Sequence, residues 1–240
     1  MAAIVTSDPQ RTASRERVLF VGNSLTSVND VPGLVAGIAR ADGRAVHCEV
    51  VAINNFSLED HWQQGDAMRR IAAGGWTTVV LQQGPSALPD SRVLLVQYTR
   101  QFDAAIRRQG GRTALYMVWP FASRRFDFDG VSASYRAAAE SVGGVILPVG
   151  AAWQAVWRRD PAFALYGPDG FHPTPAASYL AALVIYEGLA NRTLAVSAAL
   201  TSQAAHAGLT AADLARVLAG AADVRHQSPA VARDSRSPRR

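Results

Sequence analysis

A serine hydroxyl becomes a useful nucleophile only when a neighbouring base takes its proton, so the first question is whether this chain pairs the two. Residues 18–26 read Val-Leu-Phe-Val-Gly-Asn-Ser-Leu-Thr, an apolar run that ends in Gly22-Asn23-Ser24. Such a run is expected to be a buried strand with Ser24 just beyond its carboxyl end, and Gly22 is expected to allow a tight exit from it. Asn29, Asp30 and Pro32 then signal the start of a helix. By itself Ser24 serves equally well as a residue that turns the chain or caps a helix. A second segment, Tyr-Gly-Pro-Asp-Gly-Phe-His-Pro-Thr-Pro at 166–175, supplies the missing base. His172 is held extended by Pro173, and Asp169 lies close enough to reach its imidazole across Gly170. In that arrangement Asp169 fixes the tautomer and steadies the imidazolium formed when His172 accepts the serine proton. A histidine tied to a nearby aspartate in a turn is also a common structural motif; the ordered pairing with a strand-tip serine favours chemistry.

The elements that must position these groups follow from periodicity. Strands are expected at 18–21, 46–53, 77–82, 113–118 and 144–149. Helices are expected near 32–41, 58–73, 92–108, 131–141, 151–159 and 175–189. Near-continuous apolar strands separated by helices imply a parallel sheet covered on both faces. The fold class is therefore α/β, a flavodoxin-like three-layer α/β/α sandwich with a five-stranded parallel sheet. Ligands in that architecture bind outside the carboxyl ends of the strands, where the strand order reverses. After Asn191 come Ala-rich helical segments, including 211–222 with Thr210 as its N-cap, expected to pack as an appendage or to mediate association. Thr174 and Pro175 form an N-cap and first-turn pair for the helix after His172.

With both blocks in place, the chain resembles the GDSL/SGNH hydrolase superfamily, esterases and acetylesterases among them. Gly22-Asn23-Ser24-Leu25 matches the early nucleophile block and Asp169-Gly170-Phe171-His172 the late one, and the resemblance spans 18–189. It implies a flavodoxin-like fold, a Ser24, Asp169 and His172 triad, and an oxyanion hole made by the Ser24 N–H and two further donors. In the family those donors are a glycine N–H after the second strand and an asparagine amide after the third. Here the second strand leads into Ile53-Asn54-Asn55-Phe56, and Asn55 matches the glycine position; asparagine tolerates positive φ better than most residues. The third strand ends in Gln82-Gln83-Gly84-Pro85-Ser86 without an asparagine. Gln83-Gly84 resembles the Gln-Gly of some carbohydrate acetylesterases, so Gln83 is the expected amide donor, with Ser86 as its competitor.

Other residues weigh less. Glu59 and Asp60 suit the start of a helix, and His61 is expected on a helix surface or behind the site. Trp153 and Trp157, four apart, read as core packing. The stretch 119–129, Trp-Pro-Phe-Ala-Ser-Arg-Arg-Phe-Asp-Phe-Asp, is either a lid recognising a sugar or an anionic acyl group, or a packed surface loop.

Composition narrows the field. Of 240 residues 49% are hydrophobic and 18% charged, ordinary for a globular protein. All 24 basic residues are arginines. Without lysine there is no P-loop lysine and no Schiff-base chemistry, and after Gly22 the next glycine is Gly33, which rules out a G-x-G-x-x-G loop. The pI near 10.0 comes from the ends. Residues 18–224 hold 16 Arg against 16 Asp plus Glu, whereas 225–240 hold five Arg against Asp234. Hence 1–17 is expected to be a flexible segment, 18–224 the hydrolase-like domain, and 225–240 a disordered basic tail. No specific nucleic-acid partner is expected; binding through the tail would be salt-sensitive and lost on truncation at Val224. Cys48, the single cysteine, reads as a buried strand residue, and no spacing suits a metal. The expected partner is a small-molecule ester, with no cofactor, no metal and no membrane span. Oligomeric state is open. Residues 1–17 hold no apolar signal-peptide core, which makes a cytoplasmic location the default, with export left open by a different start. The competing reading is a non-catalytic SGNH-like module that binds carbohydrate or protein.

Overall fold

The computed structural model describes residues 16–225. The expected flexible segment lies outside the described residues except for Glu16 and Arg17, which belong to the first strand. The expected basic tail lies outside them except for Arg225, which ends the last helix.

Five strands, β1 (Glu16–Gly22), β2 (Val46–Ala52), β3 (Thr78–Leu81), β4 (Arg112–Tyr116) and β5 (Val145–Leu147), form one sheet in the order β2-β1-β3-β4-β5. Every neighbouring pair is parallel, with Val18 opposite Cys48 on one side and Thr78 on the other. This is the flavodoxin-like order, and its switch point lies between β1 and β3. The central strands are buried through Val18–Val21, Val79–Leu81 and Ala114–Tyr116, as a sheet covered on both faces requires. The edge strand β2 has a neighbour on one side only, so Cys48 is half-buried rather than buried as expected. Burial still pushes its thiol up to about 12, which leaves it protonated and unreactive.

Helices connect the parallel strands. They are α1 (Ser24–Ser27), α2 (Val31–Ala41), α3 (Leu58–Gln64), α4 (Asp66–Ala72), α5 (Pro89–Arg108), α6 (Phe128–Glu140), α7 (Val149–Arg159), α8 (Pro175–Ala190), α9 (Ala198–His206) and α10 (Ala211–Arg225). On one side α2 packs against α8, and on the other α5 packs against α6 and α3. The helix expected over 58–73 is two helices, because Gly65 at φ 90° closes α3 and opens α4. The strand expected over 144–149 stops at Leu147, since Pro148 already leads into α7.

Helix α8 is buried along nearly its whole circumference, so it needs cover on both sides. α2 gives one side, and α7 with α10 gives the other. α10 is therefore integral to the packing rather than an appendage, burying Leu214, Val217, Leu218, Ala221 and Val224. Thr210 caps it as expected, accepting from the Asp213 N–H at 3.1 Å. Among the described residues no helix is long and apolar enough to cross a membrane.

Candidate active site

Ser24 stands at the carboxyl edge of β1, beside the switch point. Asn23 is the N-cap of α1 and accepts from the Leu25 N–H at 3.1 Å. Ser24 is thus the first residue of a helical turn, and its N–H lies outside the intrahelical ladder, free to face an anion. The structure brings all three expected triad residues together. His172 Nε2 lies 2.9 Å from Ser24 Oγ, and His172 Nδ1 lies 2.5 Å from Asp169 Oδ2. Asp169 also accepts through Oδ1 from the backbone N–H groups of Phe171 at 3.0 Å and His172 at 2.9 Å. The hydrogen bond from the imidazole, reinforced by these two amides, holds its carboxyl down at about 2. An ionised Asp169 draws the imidazole proton to Nδ1, which leaves Nε2 as the acceptor for the serine hydroxyl.

The loop carrying this pair is closed locally. Gly167 N donates to His172 O at 2.7 Å, Tyr166 and Pro173 form an antiparallel bridge, and Thr174 caps α8 through the Ala177 N–H. Asn29, in a left-handed conformation at φ 55°, bolts the Ser24 segment to this loop. Its Nδ2 donates to Pro173 O at 3.1 Å and to Ser178 Oγ at 3.0 Å. In the sequence Asn29 signals only a helix start.

Asn55, in the turn after β2, has φ 64°, the left-handed conformation that asparagine tolerates better than most residues. Gln83 is buried at the end of β3. Its Oε1 accepts from the Leu58 N–H at 3.0 Å, which ties it to the loop that carries Asn55, and its Nε2 donates to Ser86 Oγ at 2.7 Å. Ser86 in turn donates to Gly84 O at 3.1 Å from a left-handed backbone, φ 56°. The two expected competitors are therefore bonded to each other. Tyr135, buried and with its phenol pushed up by that burial, reaches both Gln83 O at 2.6 Å and Gln83 N at 3.2 Å.

Two further groups lie beneath the serine turn, Gln82, which the sequence did not single out, and His61. Gln82 is 1% exposed, and its carboxamide makes four hydrogen bonds around Asn23. His61 is fully buried, the second of its two expected placements, with Nε2 2.7 Å from Gly22 O. Burial keeps the His61 imidazole neutral by lowering its pKa. The signal for Gln82 was a polar residue directly after an apolar strand; for His61 it was a histidine one turn into an amphipathic helix.

The 119–129 stretch is fixed against the His172 loop. Trp119 Nε1 donates to Phe171 O at 2.9 Å, Ala122 N donates to Gly170 O at 2.8 Å, and Phe121 stacks on Phe171 at 3.9 Å. Both arginines are engaged: Arg124 pairs with Asp127 at 2.6 Å, and Arg125 lies 3.7 Å over the Trp157 ring. Residues 121 and 123–126 stay exposed, so this is a surface loop braced against the His172 loop. Trp153 and Trp157 pack as expected, with Trp153 stacked on Trp119 at 4.0 Å.

No family model and no curated protein matches the sequence. Solved structures do match the fold. An SGNH hydrolase-like protein from Slackia heliotrinireducens is 26% identical over 73% of this chain and 99% of its own, with a TM-score of 0.63. A DUF4886 family protein from Bacteroides uniformis is 18% identical over 88% of this chain and 94% of its own, at 0.72. A lipase/acylhydrolase from Enterococcus faecalis is 13% identical over 76% of this chain and all of its own, at 0.57. The parallel five-stranded sheet and these likenesses together give this chain the fold of the SGNH/GDSL hydrolases.

Proposed function

We propose that the protein is a serine esterase that cleaves a carboxylic ester through an acyl-enzyme on Ser24. The observation that carries this reading is the unbroken hydrogen-bonded chain from Ser24 Oγ through His172 to Asp169, at 2.9 and 2.5 Å. Ser24 Oγ attacks the ester carbonyl carbon while His172 Nε2 takes its proton. The alcohol then leaves with that proton from His172. A water molecule, deprotonated by the same nitrogen, attacks the acyl carbon; the bond from that carbon to Ser24 Oγ breaks, Oγ takes the proton back from His172, and the acid is released. Asp169 stays ionised throughout and holds the imidazole in its working tautomer.

The oxyanion faces the N–H groups of Ser24 and Asn55 and the Gln83 amide. Gln83 Nε2 carries two hydrogens, and its bond to Ser86 uses one. Ser86 is thus the holder of Gln83 rather than its rival. Each such donor is worth about 3–4 kcal/mol in the transition state. The polar surroundings given by Asn55, Gln83 and Ser86 suit a short acyl group such as acetyl, carried on a carbohydrate or other small alcohol. The chemistry needs neither metal nor organic cofactor.

The test is turnover of p-nitrophenyl acetate by the wild type and by Ser24→Ala. The esterase reading expects the variant to fall to the uncatalysed background. Equal rates in both sink it and leave the binding-module reading.

A further inference from the structure

We infer that Gln82 is the positioning residue of the nucleophile: its carboxamide sets the orientation of the Asn23–Ser24 peptide and so aims both Ser24 Oγ and the Ser24 N–H. The inference deepens the esterase reading and rests on it.

Gln82 uses its full hydrogen-bonding capacity on this turn. Oε1 accepts from the Asn23 N–H at 2.9 Å and from Thr26 Oγ1 at 2.7 Å. Nε2 donates to Asn23 Oδ1 at 3.0 Å and to Gln83 O at 2.7 Å. An amide has two acceptor sites and two donor hydrogens, so nothing is left over. Asn23 is gripped at both ends, since its backbone N–H and its side-chain oxygen bind the same carboxamide. Its remaining donor, Nδ2, goes to Phe56 O at 3.0 Å. The next peptide along is the one that presents the Ser24 N–H.

The backbone is shaped to admit this group. A Cβ on Gly22 would sit 2.4 Å from Gln82 Oε1 and 2.5 Å from Thr26 Oγ1. Gly22 is not among the residues with positive φ. It is needed for clearance, not for a special conformation, and that clearance is what lets the chain leave the strand so tightly. The carboxamide also spans the switch point, linking the end of β3 to the end of β1. Its bond to Gln83 O connects the nucleophile turn to the residue proposed as oxyanion donor. Gln82 itself is buried away from solvent and touches no reacting atom. Its effect passes through Asn23, and misplacing a nucleophile by about 1 Å can cost about 100-fold in rate.

The experiment measures kcat and KM for p-nitrophenyl acetate, and the rate of Ser24 labelling by a fluorophosphonate, for wild type, Gln82→Met, Gln82→Glu and Thr26→Val. Folding is followed by circular dichroism at each pH. Gln82→Met is expected to lower kcat and the labelling rate by about 100-fold, with KM within about twofold. Gln82→Glu carries a sharper signature. Ionised, its carboxylate faces two acceptors, Asn23 Oδ1 and Gln83 O, and repels both; protonated, it donates to one of them. Its kcat relative to wild type should therefore recover on acidification, a change in profile that a lost packing contact does not produce. Thr26→Val, which removes one bond to Oε1, should cost about tenfold. It also decides the matter if the position-82 variants do not fold. Rates within threefold of wild type in folded Gln82→Met, or in Thr26→Val if Gln82→Met is unfolded, overturn the inference. So does a flat relative profile in folded Gln82→Glu. Absence of Ser24 labelling in the wild type would instead refute the esterase reading on which it stands.

Discussion

The two halves of the site differ in how their reacting groups are held. Within the Asp169–His172 loop, a surface structure with side-chain exposures of 50% and 36%, the catalytic pair is tied by its own backbone, while Asn29, Trp119 and Ala122 brace the loop from outside. The Ser24 turn is buried and held by partners remote in sequence: Gln82, 59 residues from Asn23, and His61, 39 from Gly22. A locally closed loop can lose one group and keep its shape. A turn clamped from a distance transmits any change in the clamp to the nucleophile. Mutations in the loop should therefore damage chemistry and spare stability, whereas mutations beneath the turn should damage both.

The largest expected effect tests the first half of that contrast. Asp169→Asn should lower kcat by about 1,000- to 10,000-fold by allowing the wrong imidazole tautomer, with little change in Tm because the side chain is exposed. A matching fall in Tm would show the loop to be structural. Asp169 is held down at about 2, so the acid limb of the wild-type rate profile should not be set by this carboxylate. Next, Gln83→Ala should cost about 100- to 1,000-fold in kcat, and Ser86→Ala distinctly less, since Ser86 only steadies the amide. Equal losses would return Ser86 to the role of donor.

A smaller effect, on stability, tests the second half. His61→Ala should cost about 2–4 kcal/mol, leaving a cavity and removing the donor to Gly22 O. The sign of its pH dependence follows from its lowered pKa. The unfolded chain binds a proton at the ordinary imidazole value of about 6.5, the folded one only at lower pH. Stability is full above that value and declines as pH falls below it. His61→Gln should remove that part of the acid sensitivity in chemical denaturation. The smallest effect lies far from the site, at Glu187, buried in α8 and pushed up to about 7 by that burial. A raised carboxyl contributes stability below the ordinary glutamate value of about 4.5 and loses it as pH rises through 7. Glu187→Gln should flatten that decline without changing kcat.

The same contrast explains how much the sequence disclosed. Gly22-Asn23-Ser24 and Asp169-x-x-His172 are short patterns whose geometry is mostly local, and the alternation of apolar strands with helices carries the sheet. Helix α8 was visible as an apolar run after a proline. What stayed hidden depends on tertiary neighbours. Nothing in Gln82 or Gln83 alone says that one amide clamps the serine turn while the other binds Leu58 N–H and Ser86. For His61 the choice between a helix surface and a place behind the site stayed open, because its partner, a carbonyl at the end of β1, is on another element. The paired arginines at 124 and 125 suggested anion binding, but Asp127 and Trp157 already occupy them. Helix α10 was underrated for a similar reason, since the faces of α7 and α8 that it covers are not evident from its own Ala-rich sequence.

The central claim is that Ser24 is the nucleophile of a working acyl-transfer site, and the most direct measurement is the site of covalent modification. Incubation of the protein with a fluorophosphonate, followed by intact-mass analysis and peptide mapping, should give one adduct per chain on Ser24. That adduct should be lost in Ser24→Ala and form far more slowly in His172→Ala. An adduct elsewhere, or none on the folded protein, would contradict the account.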